Sequence, residues 1–327
     1  MRIAVLAGGS SAERQVSLNS AVCVVRALRD GGHQVTVLDP GDRWLPVDPA
    51  AAPAEAPASS GLPGEEGLAE LKAAEVVFNT LHGGRGEDGT LNAVLELVGV
   101  PYIGGRPGAC AAAMNKVVSK RLFSTAGVPT PEYEVLSGAR KELWPAQLDK
   151  ALGWFDLPLI VKPAEEGSTV GLSKVQKREE LYPAVEKAAG LSRQVLIERF
   201  IEGRELTVGI LAGKALPVLE VVVPSGFYDY QAKYLSHENR YICPAEIDED
   251  TARRAQGYAE AAFEVLGLED YARIDFRLDH KGGLWCLEAN NQPGMTDSSL
   301  LPKAARVTGL DLTALLERII KNALSRY

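Results

Sequence analysis

The sequence predicts an α/β protein, because short apolar strands alternate along it with amphipathic helices and glycine-rich turns. The opening is clearest: RIAVLAGG is typical of a buried strand, SSAERQVSLNSAVCVVRALRDGG of a loop and a helix stopped by glycines, and HQVTVLDP of a second strand. This βαβ order favours a parallel sheet whose ligand binds beyond the carboxyl ends of its strands. The connecting GGSSAER is not GxGxxG, so a dinucleotide site is only weakly indicated.

Composition and charge narrow the function classes. The chain has 327 residues, 46% hydrophobic and 24% charged, as in a soluble protein of two or three domains. A formal charge of −8 without a basic run argues against nucleic acid or an anionic membrane as partner. Four scattered cysteines without a CxxC indicate free thiols in a reducing compartment. The sequence shows neither a signal-peptide core nor an apolar run of about 18 residues, so we expect a cytoplasmic protein.

Two polar residues lie where strands of the first region end. Glu13 follows the first strand, and the favourable dipole of the helix that begins there is the simpler explanation when the residue is taken alone. His82 follows the strand in AEVVFNTLHGGRGEDG, at an end where pockets form. A structural, hydrogen-bonded histidine would give the same pattern, so both explanations stay open.

The middle of the chain contains a glycine loop between two predicted strands. LPLIVK predicts a strand ending at Lys162, and PAEEGSTVGLSKV predicts a hairpin loop followed by another strand. The loop is not a Walker A motif, since it lacks GK[ST] and a following helix. Its amides can still cover phosphates that Lys162 reaches, and a plain hairpin turn is the alternative. Glu198 and Glu205 flank a later break between strands, where surface charges would look the same.

Residues 226–236, GFYDYQAKYLS, form a polar and aromatic stretch between two strands. A loop of this kind can close over a site and exclude water. The alternative is a packed surface loop with buried tyrosines.

Residues 271–290, YARIDFRLDHKGGLWCLEAN, predict a β-hairpin with polar residues on one face. With KG as a two-residue turn, Asp275 lies opposite Glu288, and Arg273 opposite Asn290, about 5 Å apart between Cβ atoms. Two opposed carboxylates require a cation between them, and an all-oxygen ligand set suits Mg²⁺. The alternative is a solvated face whose own arginines neutralise the carboxylates.

Together these motifs resemble the D-alanine–D-alanine ligases of the ATP-grasp superfamily. The motifs occur in the order AGGSSAERQVSLNS, LHGGRGEDG, IVKPAEEGSTVG, YDYQAKY and RIDF…LEANNQPGMTDSSLLP, over residues 3–320. Each motif alone is a modest signal, but five motifs in this order are a specific signal. The resemblance implies a three-domain ATP-grasp architecture: a Rossmann-like parallel-sheet substrate domain over 1–104, a central domain with the phosphate loop over 105–200, and a C-terminal domain with the metal hairpin and lid over 201–327.

The resemblance also implies residue roles. The ligands that hold Mg²⁺, or alternatively Mn²⁺, against ATP match Asp275, Glu288 and Asn290. The nucleotide-binding positions match Lys116, Lys162, Ser168, Glu198, Phe200, Ile201, Glu205 and Lys233. Substrate-binding positions match Glu13, His82, Arg273, Gly294, Ser299 and Leu300. Catalytic positions match Glu13, Ser168, Tyr234, Arg273 and Gly294, with the first three as a trio that ties lid, phosphate loop and N-terminal domain together.

The implied reaction has two steps. ATP phosphorylates the carboxylate of one D-alanine, and the amine of a second attacks the acylphosphate, yielding the dipeptide for peptidoglycan precursors. The resemblance further implies a homodimer. Three residues depart from the family pattern. Asn115 stands where the family usually has Asp. After Glu288 and Ala289 the family usually has Asn-Thr, whereas this chain has Asn290-Asn291, followed by Gln292.

Asn291 and Gln292 motivate the first alternative function, an ATP-grasp ligase with another amino acid or a hydroxy acid as acceptor. A second alternative, a nucleotide-binding protein without catalysis, is opposed by the intact lysines, arginine and metal ligands. The third, a NAD-dependent dehydrogenase, has only the opening βαβ unit in its favour.

Overall fold

The computed structural model describes residues 1–56, 61–223 and 239–327, and this part of the chain folds around three sheets. In the first sheet the order is β3-β2-β1-β4, with β2, β1 and β4 parallel and β3 antiparallel at the edge. Its strands are β1 (Arg2–Leu6), β2 (Gln34–Asp39), β3 (Leu45–Pro46) and β4 (Val76–Asn79). The predicted parallel sheet and the α/β class are confirmed.

Three helices accompany this sheet: α1 (Arg14–Asp30), α2 (Glu65–Ala73) and α3 (Thr90–Val98). Residues 100–105, VPYIGG, have the sequence of a further strand. In the structure they contribute only an isolated parallel bridge, between Tyr102 and Val77 of β4. Among the described residues, no helix is long and apolar enough to span a bilayer.

The next segment contains two helices, α4 (Pro107–Met114) and α5 (Lys116–Thr125). Asn115 separates them with extended backbone, and its Oδ1 accepts hydrogen bonds from the amides of Val117 and Val118 at 3.0 and 3.1 Å. These amides begin α5 and have no partner inside it, so Asn115 satisfies them as an N-cap. The residue that departs from the family pattern thus fixes Lys116 at the first position of a helix.

The second sheet is antiparallel in the order β5-β8-β6-β7. Its strands are β5 (Tyr133–Ser137), β6 (Leu159–Pro163), β7 (Ser173–Val175) and β8 (Gln194–Arg199), and its helices are α6 (Trp144–Trp154) and α7 (Leu181–Ala189). Trp144, Val161, Val185 and Ile197 are fully buried between the sheet and these helices. The glycine loop connects β6 to β7, as the sequence predicts.

The third sheet is also antiparallel, in the order β12-β11-β9-β13-β14, with β10 paired to β9. Its strands are β9 (Gly203–Leu211), β10 (Lys214–Ala215), β11 (Leu219–Val222), β12 (Arg240–Ile242), β13 (Tyr271–Asp279) and β14 (Leu284–Asn290), and α8 (Glu249–Val265) packs on it. Phe123 of α5 lies in the same core as Ile274 and Phe276.

The predicted pairing of the β13–β14 hairpin is confirmed at the site and wrong at the turn. Asp275 lies opposite Glu288 and Arg273 opposite Asn290. The turn has three residues, because Asp279 N donates to Gly283 O. The register then shifts between Asp275 and Phe276, leaving Leu287 as an extra residue on β14. The extra turn residue and the bulge at Leu287 offset each other, so Asp275 and Glu288 are paired as predicted.

Two helices follow the hairpin, α9 (Leu300–Val307) and α10 (Leu312–Leu324). Gly309 has a φ of +87° between them, and Asp311 caps α10 through the amide of Ala314 at 2.8 Å. α10 returns to the first sheet, where Ile319 shares a core with Leu28 of α1.

We predict that Asn115→Ala lowers the free energy of unfolding by about 1 kcal/mol, because two α5 amides lose their acceptor. Asn115→Ser is the matched control, since its hydroxyl keeps an acceptor at the cap. Urea unfolding followed by circular dichroism measures both. Equal midpoints for the alanine and serine variants would show that the cap contributes nothing.

Candidate active site

Two adjoining cavities lie among the three sheets. The larger has a volume of about 590 Å³ and the smaller about 90 Å³. Both are lined by Lys116, Gly167 and Glu288, so the cavities meet at these residues. A substrate in one can therefore react with a substrate in the other beside an ammonium group and a carboxylate.

Every described residue that matches a catalytic, metal, nucleotide or substrate position of the family lines one of the cavities. Besides Lys116 and Glu288, the larger is lined by Glu13, His82, Ser168, Arg273, Asn290, Gly294, Ser299 and Leu300. The smaller is lined by Lys162, Glu198, Phe200, Ile201, Glu205 and Asp275. Lys233 and Tyr234 lie outside the described residues.

A buried ion pair between Arg14 and Asp39 fixes the loop that carries Glu13. Arg14 Nη2 donates to Asp39 Oδ2 at 2.6 Å, and Asp39 Oδ1 accepts from the amide of Gly9 at 2.9 Å. Arg14 Nη1 also donates to the carbonyl of Gly9 at 2.8 Å. Both members are buried, and each uses its charge in hydrogen bonds, as a buried pair requires.

Glu13 connects the first sheet to the glycine loop. Its side chain makes no capping bond to α1, and Ser168 Oγ donates a hydrogen bond to its Oε1. A Cβ on Gly83 would come within 2.7 Å of Glu13 Oε2, so the carboxylate lies directly against that glycine. The helix-dipole explanation is therefore incomplete, because the side chain spans two parts of the fold.

His82 is a hydrogen-bonding residue that also lines the larger cavity. Its Nδ1 is 3.3 Å from Glu87 Oε1, and its Nε2 is 3.4 Å from Ser20 Oγ. Only 7% of the residue is exposed. The two explanations left open by the sequence are thus compatible.

The glycine loop contains two non-glycine residues with left-handed backbone, Ser168 at φ +48° and Thr169 at φ +60°. Lys116 Nζ donates to the carbonyl of Glu166 at 2.7 Å and lies 3.4 Å from Glu288 Oε2. The loop is therefore fastened to the helix that begins at Lys116. Turned backbone of this type directs amides into a concave surface suited to anions.

The hairpin carboxylates each have a cation. Asp275 accepts two hydrogen bonds from Arg273 at 2.9 Å and one from Thr207 Oγ1 at 2.6 Å. Glu288 is paired with Lys116 of helix α5, whereas Arg277 lies 3.8 Å from Glu205. The alternative explanation, in which the hairpin's own arginines neutralise the carboxylates, holds for Asp275 only.

The same residues fit a hard divalent cation. They offer two carboxylates and the amide of Asn290 at the boundary between the cavities. In the described parts of the chain, no group of three or more His, Cys, Asp or Glu forms a metal site. An ion bound here would therefore need further oxygen ligands, which phosphate groups supply.

The smaller cavity has apolar walls and one buried carboxylate. The walls are formed by Ile160, Val170, Leu172, Phe200, Ile201 and Leu287. Leu287 is the extra residue of the bulge, and it lines this cavity beside Glu288. Lys174 Nζ lies 3.9 Å from the centroid of the Phe200 ring. A flat ring system fits such walls.

Glu198 is the carboxylate in this cavity, and it is 3% exposed. Its Oε1 is 2.7 Å from Lys162 Nζ and its Oε2 is 3.0 Å from Lys120 Nζ. Burial acts to raise the pKa of Glu198, but the two lysines outweigh it and lower that pKa below the ordinary value. The group is therefore ionised at neutral pH.

The far end of the larger cavity is formed by the start of α9. Ser299 precedes the helix, and its Oγ lies 2.8 Å from Thr296 Oγ1 and 3.1 Å from the amide of Thr296. A Cβ on Gly294 would come within 2.9 Å of Ser299 Oγ, which explains the glycine there. Unpaired amides at a helix start attract anions such as a carboxylate.

Asn291 and Gln292, the departures from the family pattern, join the hairpin to the first sheet. Asn291 Nδ2 donates to the carbonyl of Glu87 at 2.9 Å, and Gln292 Nε2 donates to the carbonyl of Asn79. Asn291 also lines the larger cavity, whereas Gln292 does not.

Sequence reasoning missed several cavity residues and one buried lysine. Val16, Asn19 and Ser20 of α1 line the larger cavity, and their spacing of three and four was a usable signal. Asn239 and Tyr241 line it too, without a distinguishing pattern. Lys120 is completely buried behind the smaller cavity, and only the folded structure identifies it.

Comparison with known proteins is consistent along the whole chain. Residues 2–105 match the family model for the D-ala D-ala ligase N-terminus, and residues 122–321 match that for the C-terminus. A D-alanine–D-alanine ligase of Bordetella pertussis is 43% identical over 98% of this chain and 95% of its own. One from Synechococcus sp. is 39% identical over 100% of this chain and 94% of its own.

Solved structures give the same result. The D-alanine–D-alanine ligase of Bacillus anthracis complexed with ATP superposes with a TM-score of 0.81 at 27% identity, covering 99% of this chain and 98% of that one. The VanG D-Ala:D-Ser ligase of Enterococcus faecalis has a TM-score of 0.80 at 26% identity, covering 98% and 99%.

We predict that Gln292→Ala lowers the free energy of unfolding by about 1–3 kcal/mol, because the buried carbonyl of Asn79 loses its donor. Thermal and urea unfolding measure the change. Gln15→Ala, which removes an exposed glutamine of α1, is the control and stays within about 0.5 kcal/mol of the wild type. If both variants unfold alike, the bond from Gln292 has no structural importance.

Proposed function

The chain belongs to the D-alanine–D-alanine ligase family, and we infer that it joins two D-alanine molecules at the expense of ATP, releasing ADP and phosphate. The matches over nearly the full chain support this activity. The product, D-alanyl-D-alanine, is a building block of peptidoglycan. The observation that carries the mechanism is the meeting of two cavities at Lys116, Gly167 and Glu288.

We propose that ATP occupies the smaller cavity. Its base would lie between the apolar walls around Phe200 and Leu287, with Glu198 at the base edge and Glu205 toward the ribose. Lys162 and Lys116 would contact the phosphates, covered by the amides around Ser168. The terminal phosphate then reaches the boundary between the cavities, where phosphoryl transfer needs alignment and positive charge.

Asp275, Glu288 and Asn290 are our proposed ligands for Mg²⁺, with Mn²⁺ as the alternative. The chemistry that the ion supplies when bound is neutralisation of phosphate charge. Arg273 fixes the orientation of Asp275, and Lys116 that of Glu288.

In the first step, Glu13 would bind the ammonium group of the first D-alanine and direct its carboxylate toward the terminal phosphate. His82 forms the neighbouring wall. Lys233 and Tyr234, outside the described residues, are proposed to complete the site from the lid. Closure there would protect the acylphosphate from water.

In the second step, Ser299 and the amide of Leu300 would bind the carboxylate of the second D-alanine. Its amine attacks the carbonyl carbon of the acylphosphate, and the tetrahedral oxyanion is stabilised by Arg273 and the amide of Gly294. Loss of one such donor typically costs about 3–4 kcal/mol. The amine loses a proton, and the bond from carbon to the phosphate oxygen breaks, so that phosphate leaves and the peptide bond remains.

The organisation into domains over 1–104, 105–200 and 201–327 is also proposed, supported by the separate sheets within these ranges. We further propose a cytoplasmic homodimer that binds neither nucleic acid nor membrane, supported by the family resemblance and by the net charge of −8.

The deciding experiment measures ADP release from ATP with D-alanine, with L-alanine, and with D-alanine plus D-lactate, identifying products by mass. We expect release that depends on D-alanine and yields the dipeptide. A depsipeptide as the main product would instead establish a hydroxy acid acceptor. ATP binding without ADP release would contradict the ligase function.

We predict that Glu288→Gln lowers kcat by at least about 100-fold while leaving the unfolding midpoint near that of the wild type, because a metal-ligand charge is lost. Glu264→Gln, on the exposed side of α8, is the matched control and keeps full activity. Activity of Glu288→Gln close to the wild type would refute the metal assignment.

A further inference from the structure

Lys120 of α5 is an ionisable residue to which the mechanism above gives no role. Its side chain is 0% exposed, and it lines neither cavity. A lysine is almost never fully buried unless its charge is paired, since an unpaired ammonium is costly inside a protein. Neighbouring groups must therefore stabilise the buried ammonium of Lys120.

Three groups fix the position of this ammonium. Glu198 Oε2 lies 3.0 Å from Nζ, Thr130 Oγ1 accepts a hydrogen bond at 2.6 Å, and the centroid of the Tyr133 ring is 5.5 Å away. Thr130 in turn donates to the carbonyl of Cys286 in β14 at 2.8 Å. Lys120 thus stands between the second sheet and the strand that carries Glu288.

The two oxygens of the carboxylate in front of Lys120 have different surroundings. Glu198 Oε1 accepts from Lys162, but Oε2 has no hydrogen-bond partner among the described residues although it is buried. The ion pair with Lys120 supplies charge to this oxygen without a well-directed bond. Oε2 itself is buried against Lys120, whereas Glu198 as a residue lines the smaller cavity, so a ligand there lies beside a carboxylate whose orientation Lys120 fixes from behind.

We propose that Lys120 is a positioning residue that keeps Glu198 ionised and correctly aimed, so that the smaller cavity selects a purine with a 6-amino group over one with a 6-oxo group. The proposal rests on the placement of ATP in this cavity. An ionised carboxylate accepts hydrogen bonds and donates none. It pairs with the amino group of adenine and repels the oxygen of hypoxanthine.

Removal of Lys120 changes this chemistry in a defined way. With Lys162 as the only remaining cation, Glu198 takes up a proton more readily and then donates a hydrogen bond to a 6-oxo group. Discrimination between the bases therefore falls, whereas the groups that align phosphate and D-alanine stay in place.

The test compares equilibrium binding of ATP and inosine triphosphate, with Mg²⁺, to the wild type and to Lys120→Met. We expect the variant to bind ATP about 10-fold more weakly and the ratio of the two Kd values to fall by about 10-fold or more. The kcat at saturating ATP and the KM for D-alanine should change less than about threefold, as for a lost ground-state contact. A Kd ratio equal to that of the wild type overturns the proposal.

Lys141→Met is the matched control, because it removes an exposed lysine that pairs with Glu186 at 3.0 Å in the same region. Its Kd ratio should equal that of the wild type. Should Lys120→Met unfold, the double variant Lys120→Met/Glu198→Gln removes both charges of the Lys120–Glu198 pair, leaves Lys162 with the carboxamide oxygen as acceptor, and is measured instead. Its carboxamide both donates and accepts, so we expect comparable affinity for the two nucleotides.

Two further outcomes contradict the proposal: a double variant that still prefers ATP as strongly as the wild type, and failure of both variants to fold, which would make Lys120 a residue of stability alone. Failure of the ligase function is distinguishable, because binding is measured without D-alanine. Wild-type protein that binds ATP but releases no ADP with D-alanine contradicts only the ligase.

Discussion

The repulsion between two carboxylates on neighbouring strands is the constraint on which the site depends. Asp275 and Glu288 lie directly opposite each other, and the sheet tolerates them because Arg273 and Lys116 each supply a cation. Lys116 can do so only because α4 ends at Asn115 and a new helix begins there. The acidic hairpin therefore depends on the break between the two helices, although the two segments lie about 170 residues apart in the sequence.

Local patterns predicted what depends on neighbouring residues. The alternation along β13 and β14 predicted that the acidic residues lie on the same face of the hairpin, and glycines predicted most turns. The site register was predicted correctly from an incorrect turn, because the bulge at Leu287 offsets the third turn residue. Neither deviation has a signal of its own, since HKGG is compatible with both turn lengths. The positions of the candidate site residues followed from the family resemblance.

The long-range contacts could not be predicted from the sequence. Lys120 reads as one more charge on an amphipathic helix, yet it is buried against Glu198, 78 positions later in the chain. Asn291 and Gln292 read as possible changes in substrate choice, yet both donate to carbonyls of the first region. Each case depends on which element packs beside which, and residue type carries no information on that.

The packing of α10 on α1 has a consequence for the order in which the protein acquires its structure. Leu315 and Ile319 complete the core formed by Val24 and Leu28, and Glu317 contacts His33 at 2.5 Å. The ribosome makes the N-terminal part first, but this side of it stays uncovered until the residues of α10 have left the exit tunnel. The core of the opening sheet is thus completed by α10, so α10 has to be synthesised before this core is fully packed.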